Sequence, residues 1–377
     1  MFQILPFLIS LCLINSERQL NQNVIAFASD NPSDRLVWER IRLADPNTGE
    51  IPKNIRKKEM MFAKTLPKSS SISKANWVHR GPYNVGGRTR ALAIDILDEN
   101  ILLAGGASGG MFRSVNGGQS WTITTRLNQL HNVTCVSQDV RQGKEHIWYF
   151  GTGELTGSSA SGGEAYYGGN GIYKSVDGGL SWDSLAVTAT NTNGFDSNFD
   201  FIWNLETDAS NDSLDVVYAA TYGAIYRSED GGDSWVKELG SSTSSSYYNN
   251  VEVTSSGVVY ATLSSDGLDK GIWRSIDGKD WVNITDSLFP PVYGRIAIGI
   301  NPSNEDQVYF LAAETDNYGQ YTDVFFNGQT WTSLWKYDAG DSSWINLSSN
   351  IPANQATSFD NFNAQGGYDL LVKVHPS

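Results

Sequence analysis

A serine, an acidic or amide residue, a glycine and a tryptophan recur at fixed offsets along the chain, and few architectures can absorb such a repeat. The regular copies are Ser114-Val-Asn116-Gly-Gly118-Gln-Ser-Trp121, Ser175-Val-Asp177-Gly-Gly179-Leu-Ser-Trp182 and Ser228-Glu-Asp230-Gly-Gly232-Asp-Ser-Trp235. A fourth, Ser275-Ile-Asp277-Gly-Lys-Asp-Trp281, is one residue shorter; a fifth, Lys336-Tyr-Asp338-Ala-Gly340-Asp-Ser-Ser-Trp344, lacks the serine and gains a residue. Each unit has the chemistry of a tight turn between antiparallel strands. The carboxylate or amide accepts hydrogen bonds from the turn's own backbone, and the glycines supply positive φ. The tryptophan is expected to fold back as an apolar plug between neighbouring sheets.

The copies begin at 114, 175, 228, 275 and 336, a spacing of 61, 53, 47 and 61 residues. That period suits four short strands per unit with variable loops. Two strands precede each corner: 89–95 with 101–104, 133–136 with 147–150, 201–205 with 216–219, 251–253 with 258–261, and 295–298 with 308–311. A third enters the turn through Gly109, Gly171, Gly223 or Gly271. Five four-stranded blades follow, all-β, and a sixth is expected to start at Tyr368–Val374. A ring closed by a lone innermost strand would leave sheet exposed, so the propeller, 77–377, is expected to be incomplete at its C-terminus.

These units resemble the Asp-box, or BNR, repeats of sialidase-type and sortilin-type β-propellers. That resemblance implies a structural role for the repeated aspartates, since the motif occurs on enzymes, receptors and assembly factors alike. The run from Asp45 to Arg56, followed by Trp77-Val-His-Arg-Gly-Pro-Tyr-Asn-Val-Gly-Gly-Arg88-Thr-Arg90, also resembles the opening of Bacteroidetes secreted propeller proteins. Those proteins commonly carry a sorting domain for type IX secretion.

Residues 1–22 are expected to form a signal peptide around the apolar stretch Phe2–Ile14, which is too short to span a membrane. If it is removed, Cys135 is alone and no intrachain disulfide is available. Residues 30–67 read as a helical lead, with one helix around Leu36–Ile41 and another over Pro52–Leu66; the Ser-rich stretch 68–76 reads as a linker. The lead is basic, with 10 Lys and Arg against 6 Asp and Glu in 30–76, while 77–377 holds 16 against 34. The lead is therefore expected to dock on the acidic propeller. The formal net charge of −14 disfavours nucleic acid as a partner, and the chain is expected to be monomeric.

The turns occupy one face of a propeller, so loops that vary in length and composition gather on the other, where function is expected. Candidate ligand-binding residues there are Glu154, Tyr166 and Tyr167 in one blade and Glu314, Asp316, Tyr318 and Tyr321 in another. Aromatic faces beside carboxylates suit a sugar ring and equally suit a peptide. Arg88, Arg90 and Arg295 open innermost strands and either hold a carboxylate at the channel mouth or pair with nearby acids. Arg113, Lys174, Arg227 and Arg274 precede four of the turns, which argues for a shared structural role.

The leading expectation is a secreted or cell-surface propeller that binds glycan, peptide or a cell-surface protein. A glycoside hydrolase is the alternative, but the sialidase resemblance implies an arginine in an F/Y-R-I-P element, which Gly87-Arg88-Thr-Arg90 and Gly294-Arg295-Ile-Ala lack. Xyloglucanase-type propellers use two aspartates across a cleft between two propellers. A sortilin-like peptide receptor is the second alternative. No cofactor is expected: His79, His131, His146 and His375 lack ligand spacing. A structural Ca²⁺ is conceivable in the loops of Asp323 or Asp266–Asp269.

Overall fold

The computed structural model describes residues 37, 40–41, 43–66, 88–158, 164–192, 195–241, 243–313, 332–351 and 370–375. The expected signal peptide, the Ser-rich linker, Glu314, Asp316, Tyr318, Tyr321 and Asp323 lie outside them.

Alternation of apolar and polar residues in short runs separated by glycine turns folds here as five four-stranded antiparallel sheets. Blade one is β1 (Thr89–Ile94), β2 (Leu102–Gly106), β3 (Gly110–Ser114) and β4 (Thr122–Ile123). Blade two comprises β5 (Val133–Gln138), β6 (Trp148–Thr152), β9 (Ile172–Ser175) and β10 (Asp183–Ser184). Between β6 and β9 a separate hairpin, β7 (Glu154–Ser158) with β8 (Glu164–Tyr167), replaces what the sequence suggests is a loop. Blade three runs through β11 (Ile202–Thr207), β12 (Val217–Thr221), β13 (Ala224–Ser228) and β14 (Val236–Leu239). Blade four runs through β15 (Asn249–Val253), β16 (Val259–Leu263), β17 (Gly271–Ser275) and β18 (Trp281–Asn283). Blade five holds β19 (Ile296–Ile300), β20 (Gln307–Ala313), β21 (Thr332–Asp338) and β22 (Ser343–Asn346). The innermost strands β1, β5, β11, β15 and β19 adjoin in chain order, as a propeller requires.

The repeated turns have the hydrogen bonding their residues dictate. Ser228 Oγ donates to Asp230 Oδ1 at 2.7 Å and accepts from Gly232 N at 2.8 Å, while Asp230 Oδ1 accepts from Ser234 N at 2.8 Å. Ser114, Ser175 and Ser275 repeat the serine latch. Burial opposes ionisation of Asp230, but the hydroxyls of Ser234 and Ser228 outweigh it and hold the carboxyl at about 2. The fifth turn differs. Gly340 donates to Asp338 Oδ1 at 3.1 Å without adopting positive φ; the left-handed position is Ser342, at φ 57°. The expected conformational role of Gly340 therefore passes to the inserted residue.

Cross-blade contacts explain the basic residue before three of the four serines. Arg113 Nε donates to Gly178 O at 2.9 Å and Lys174 Nζ to Gly231 O at 2.9 Å, each tying one blade to the next blade's turn. Arg227 reaches the following turn through Glu229, which also meets Lys279 at 3.0 Å. Arg274 stays within its own blade, donating to Tyr260 Oη at 3.4 Å.

The tryptophan plug holds for four turns and fails at the first. Trp182 is fully buried among Leu103, Met111 and Phe150, in the slot between blades one and two. Trp235, Trp281 and Trp344 pack in the same way against blades two, three and four. Trp121 is 41% exposed and folds over its own Gly118. The plug needs a preceding sheet, and among the described residues none lies against that face of blade one.

The expected sixth innermost strand is an extended segment without sheet pairing. Leu370 is buried with Ala297, Leu311 and Ile351, and Val372 lies along Gly299. In the basic lead, Val37, Arg40, Ile41 and Leu43 are helical and α1 spans Ile55–Thr65. Arg56 Nε donates to Leu127 O at 3.0 Å, which places α1 beside blade one, yet α1 buries no residue and Phe62 is exposed. No helix among the described residues is long and apolar enough to cross a membrane.

Candidate functional site at the channel mouth

Antiparallel order puts the start of each innermost strand and the end of the second strand on the face opposite the repeated turns. Arg88 and Arg90 enter here with β1, Glu154 follows β6, Trp203 lies at the start of β11, and Arg295 leads into β19. Arg88 forms an ion pair with Glu154, and Arg90 Nε lies 3.4 Å from Glu154 Oε1. Both arginines thus take the pairing alternative. Glu154 is fully buried; burial pushes its pKa up, against the pull of Arg90 and Arg88.

Trp203 organises the rest. The guanidinium carbon of Arg90 stands 6.0 Å from its ring centroid and that of Arg295 stands 5.7 Å away, so arginines from blades one and five meet on one indole from blade three. Trp203 Nε1 donates to Tyr247 O at 2.6 Å, bringing in blade four. Blade two contributes Glu154. Every blade therefore supplies a group to one place, which dispersed surface loops do not do.

Of the other sequence candidates, Tyr167 pairs with Glu154 across the β7–β8 hairpin, is 45% exposed, and accepts from Asn132 Nδ2 at 3.1 Å through its carbonyl. Tyr166 lies on β8, its side chain outside the described set. Asp266 accepts from the Ser264 hydroxyl and, at 3.1 Å, from Tyr247 N, so its oxygens brace a loop. Among the described residues no group of three or more His, Cys, Asp or Glu is arranged to hold a metal ion. Burial pushes the Cys135 thiol up to about 12, which leaves it protonated and unreactive at neutral pH.

Two features of this region are missed by sequence reasoning. The first is Trp203 itself, which within Phe201-Ile-Trp-Asn-Leu205 reads as one more core residue. The second is a polar ladder between innermost strands of blades three and four: Asn204 Nδ2 donates to Asn250 Oδ1 at 2.9 Å, and two residues further along these strands stand Glu206 and Glu252. The available signal is the period of two in Asn204/Glu206 and Asn250/Glu252. Lys373 Nζ reaches Glu252 Oε1 at 3.2 Å.

Burial, and then the neighbouring Glu252, raise the pKa of Glu206 against the pull of Lys373; Glu252 is raised chiefly by burial. The folded state therefore holds the pair's proton more tightly than the unfolded chain does. Stability falls as pH rises from the ordinary carboxylate value through the raised one. Lys373 is raised, so its contribution is fully present below the ordinary lysine value and leaves this window untouched. Glu206→Gln is expected to raise the melting temperature at pH 8 by about 2 °C or more and to change it little near pH 4. Thermal melts followed by circular dichroism check this; an equal shift at both pH values would mean that ionisation is not what the substitution removes.

No family model matches the sequence. The chain is 23% identical over 378 residues to a xyloglucanase of Paenibacillus sp, a match that covers 85% of this chain and 35% of that protein. Among solved structures, an ancestral GH74 enzyme superposes with a TM-score of 0.53 at 19% identity, covering 72% of this chain and 32% of that one. A GH74 enzyme from Niastella koreensis gives 0.48 at 21% identity, covering 71% and 39%. The chain spans about a third of the xyloglucanase's length. The likeness to the first solved structure is one of fold, and it agrees with the β-propeller described above.

Proposed function

We propose that the protein is a secreted or cell-surface propeller that binds glycan at its channel mouth, on the face opposite the repeated turns. The observation that carries the reading is the convergence of groups from all five blades on Trp203 and Glu154. Trp203 and Glu154 are buried, so their part is to fix the half-buried Arg88 and Arg295 at the mouth, where guanidinium groups can donate to sugar hydroxyls.

The hydrolase reading draws support from the similarity to a xyloglucanase over 85% of the chain. Chemistry at the described mouth argues against it. A glycosidase needs two carboxyl groups flanking the scissile bond, one able to protonate the leaving oxygen. Glu154 has the raised pKa of such an acid, but its side chain is 0% exposed and closed between two guanidinium groups. It is placed to order Arg88 and Arg90.

A glycan array, paired with an assay for reducing ends released from xyloglucan, tests the proposal. Binding without turnover is expected. Turnover would favour the hydrolase, and turnover that survives substitution of Glu154, Glu314 and Asp316 would move the chemistry to another site. Peptide binding without glycan binding would favour a sortilin-like receptor.

A further inference from the structure

A row of aromatic rings, two exposed and the one between them half-buried, leads away from the mouth across blade three. Phe195, in the loop before β11, is 53% exposed, and Tyr247, in the loop before β15, is 47% exposed. Tyr222, at the β12–β13 turn, stands between them: its ring centroid is 4.9 Å from Phe195, edge to face, and 5.3 Å from Tyr247, stacked at 24°. Three separate loops thus deliver one continuous surface, and it joins the mouth where Trp203 Nε1 holds Tyr247 O.

Two of the three rings, Tyr222 and Tyr247, are fixed by their backbone. Tyr222 N donates to Phe201 O at 2.8 Å, Gly223 N to Ser246 O at 2.9 Å, and Tyr247 N to Asp266 Oδ2 at 3.1 Å. Gly223 sits at φ 83°, where an added Cβ would meet Ser245 Oγ at 2.9 Å, so the turn that presents Tyr222 is built for this conformation. A platform whose rings are ordered before the ligand arrives loses little entropy on binding.

Chemistry at the margins selects the ligand. Asp196 and Asp266 are exposed carboxylates beside the rings, the former accepting from Thr192 Oγ1 at 2.6 Å. The hydroxyls of Thr192 and Thr190 lower the pKa of Asp196, which keeps it ionised at neutral pH. Carboxylates accept hydrogen bonds from sugar hydroxyls and repel acidic sugars, while ring faces stack on sugar C–H faces. Phe195 has no polar atom on its ring and offers only stacking.

We infer that the ligand is an extended neutral polysaccharide chain laid outward from the channel mouth along Tyr247, Tyr222 and Phe195. This rests on the glycan reading above and adds to it a length, a charge and a path. A short sugar covers one ring; a chain gains from each ring it reaches.

The test is a titration of the full chain with two ladders of increasing length, neutral xyloglucan or cello-oligosaccharides and acidic oligogalacturonates, by calorimetry. Affinity for the neutral ladder is expected to rise with length and then level off, with the acidic ladder bound weakly or not at all. Phe195→Ala is expected to weaken the longest neutral ligand roughly three- to tenfold while leaving the shortest unchanged, and Tyr247→Ala, beside the mouth, to weaken both. Both side chains are exposed, and unchanged melting temperatures would exclude misfolding. Neutral-glycan binding that ignores length or both substitutions, or tighter binding of the acidic ladder, overturns the inference and leaves the mouth reading standing. Binding of no glycan at all overturns both.

Discussion

Trp182→Ala is expected to destabilise the protein by about 3–5 kcal/mol, whereas Trp121→Ala is expected to cost less than about 1 kcal/mol. The two residues hold the same place in the same motif, so the difference isolates the slot from the turn. Trp182 is fully buried, its ring edge-on to Phe150 at a centroid distance of 4.7 Å, and its Nε1 donates to Thr124 Oγ1 at 2.9 Å. Truncation removes apolar area, opens a cavity between two blades and loses the hydrogen bond to half-buried Thr124. Trp121 is 41% exposed and lies over Gly118 of its own turn. Guanidinium unfolding followed by far-ultraviolet circular dichroism measures both. Comparable losses at the two positions would mean that in solution a sheet covers the first face of blade one.

That contrast marks how far the chain's local signals reach. The turns are legible because every partner lies within four residues: Ser175 bonds Asp177 and Gly179, and Asp177 bonds Ser181. Sequence spacing alone therefore places the blades, and all five sheets form around the strands expected. A tryptophan's burial depends instead on the neighbouring sheet, which the motif does not encode, and so Trp121 and Trp182 read alike. The site is less legible for the same reason. Arg88, Arg90, Glu154 and Arg295 lie at the strand ends where the sequence places them, but which pair forms is decided across 66 positions, where Glu154 closes on Arg88. Trp203 escapes notice because burial and function ask the same residue type of an innermost strand. Phe195, Tyr222 and Tyr247 come from three loops with no common spacing, and only the fold makes them a row.

Gly153→Ala is expected to cost about 3 kcal/mol or more and to weaken glycan binding at the mouth as well. Two effects add at this position. Gly153 sits at φ 92°, where a side chain costs roughly 1–2 kcal/mol. An added Cβ would also stand 1.7 Å from Asp200 O and 3.0 Å from Gly169 Cα, both backbone. Asp200 cannot give way cheaply. Its carbonyl accepts from Gly169 N at 2.8 Å, and its carboxylate accepts from the backbone N–H groups of Asp196 and Ser197 at 2.9 Å each. The strain must therefore appear in the chain that bears the new methyl group, and the next residue in that chain is Glu154. Displacing it loosens Arg88 and Arg90 and, through Arg90, the packing on Trp203. Gly143→Ala is the control: its φ is 82° and nothing stands within 4 Å of the added Cβ, so it is expected to show the conformational cost of about 1 kcal/mol alone. Denaturant unfolding of the two variants gives the difference directly. Equal losses would show that the blade two to blade three contact yields to a methyl group, and that the position of Glu154 does not depend on it.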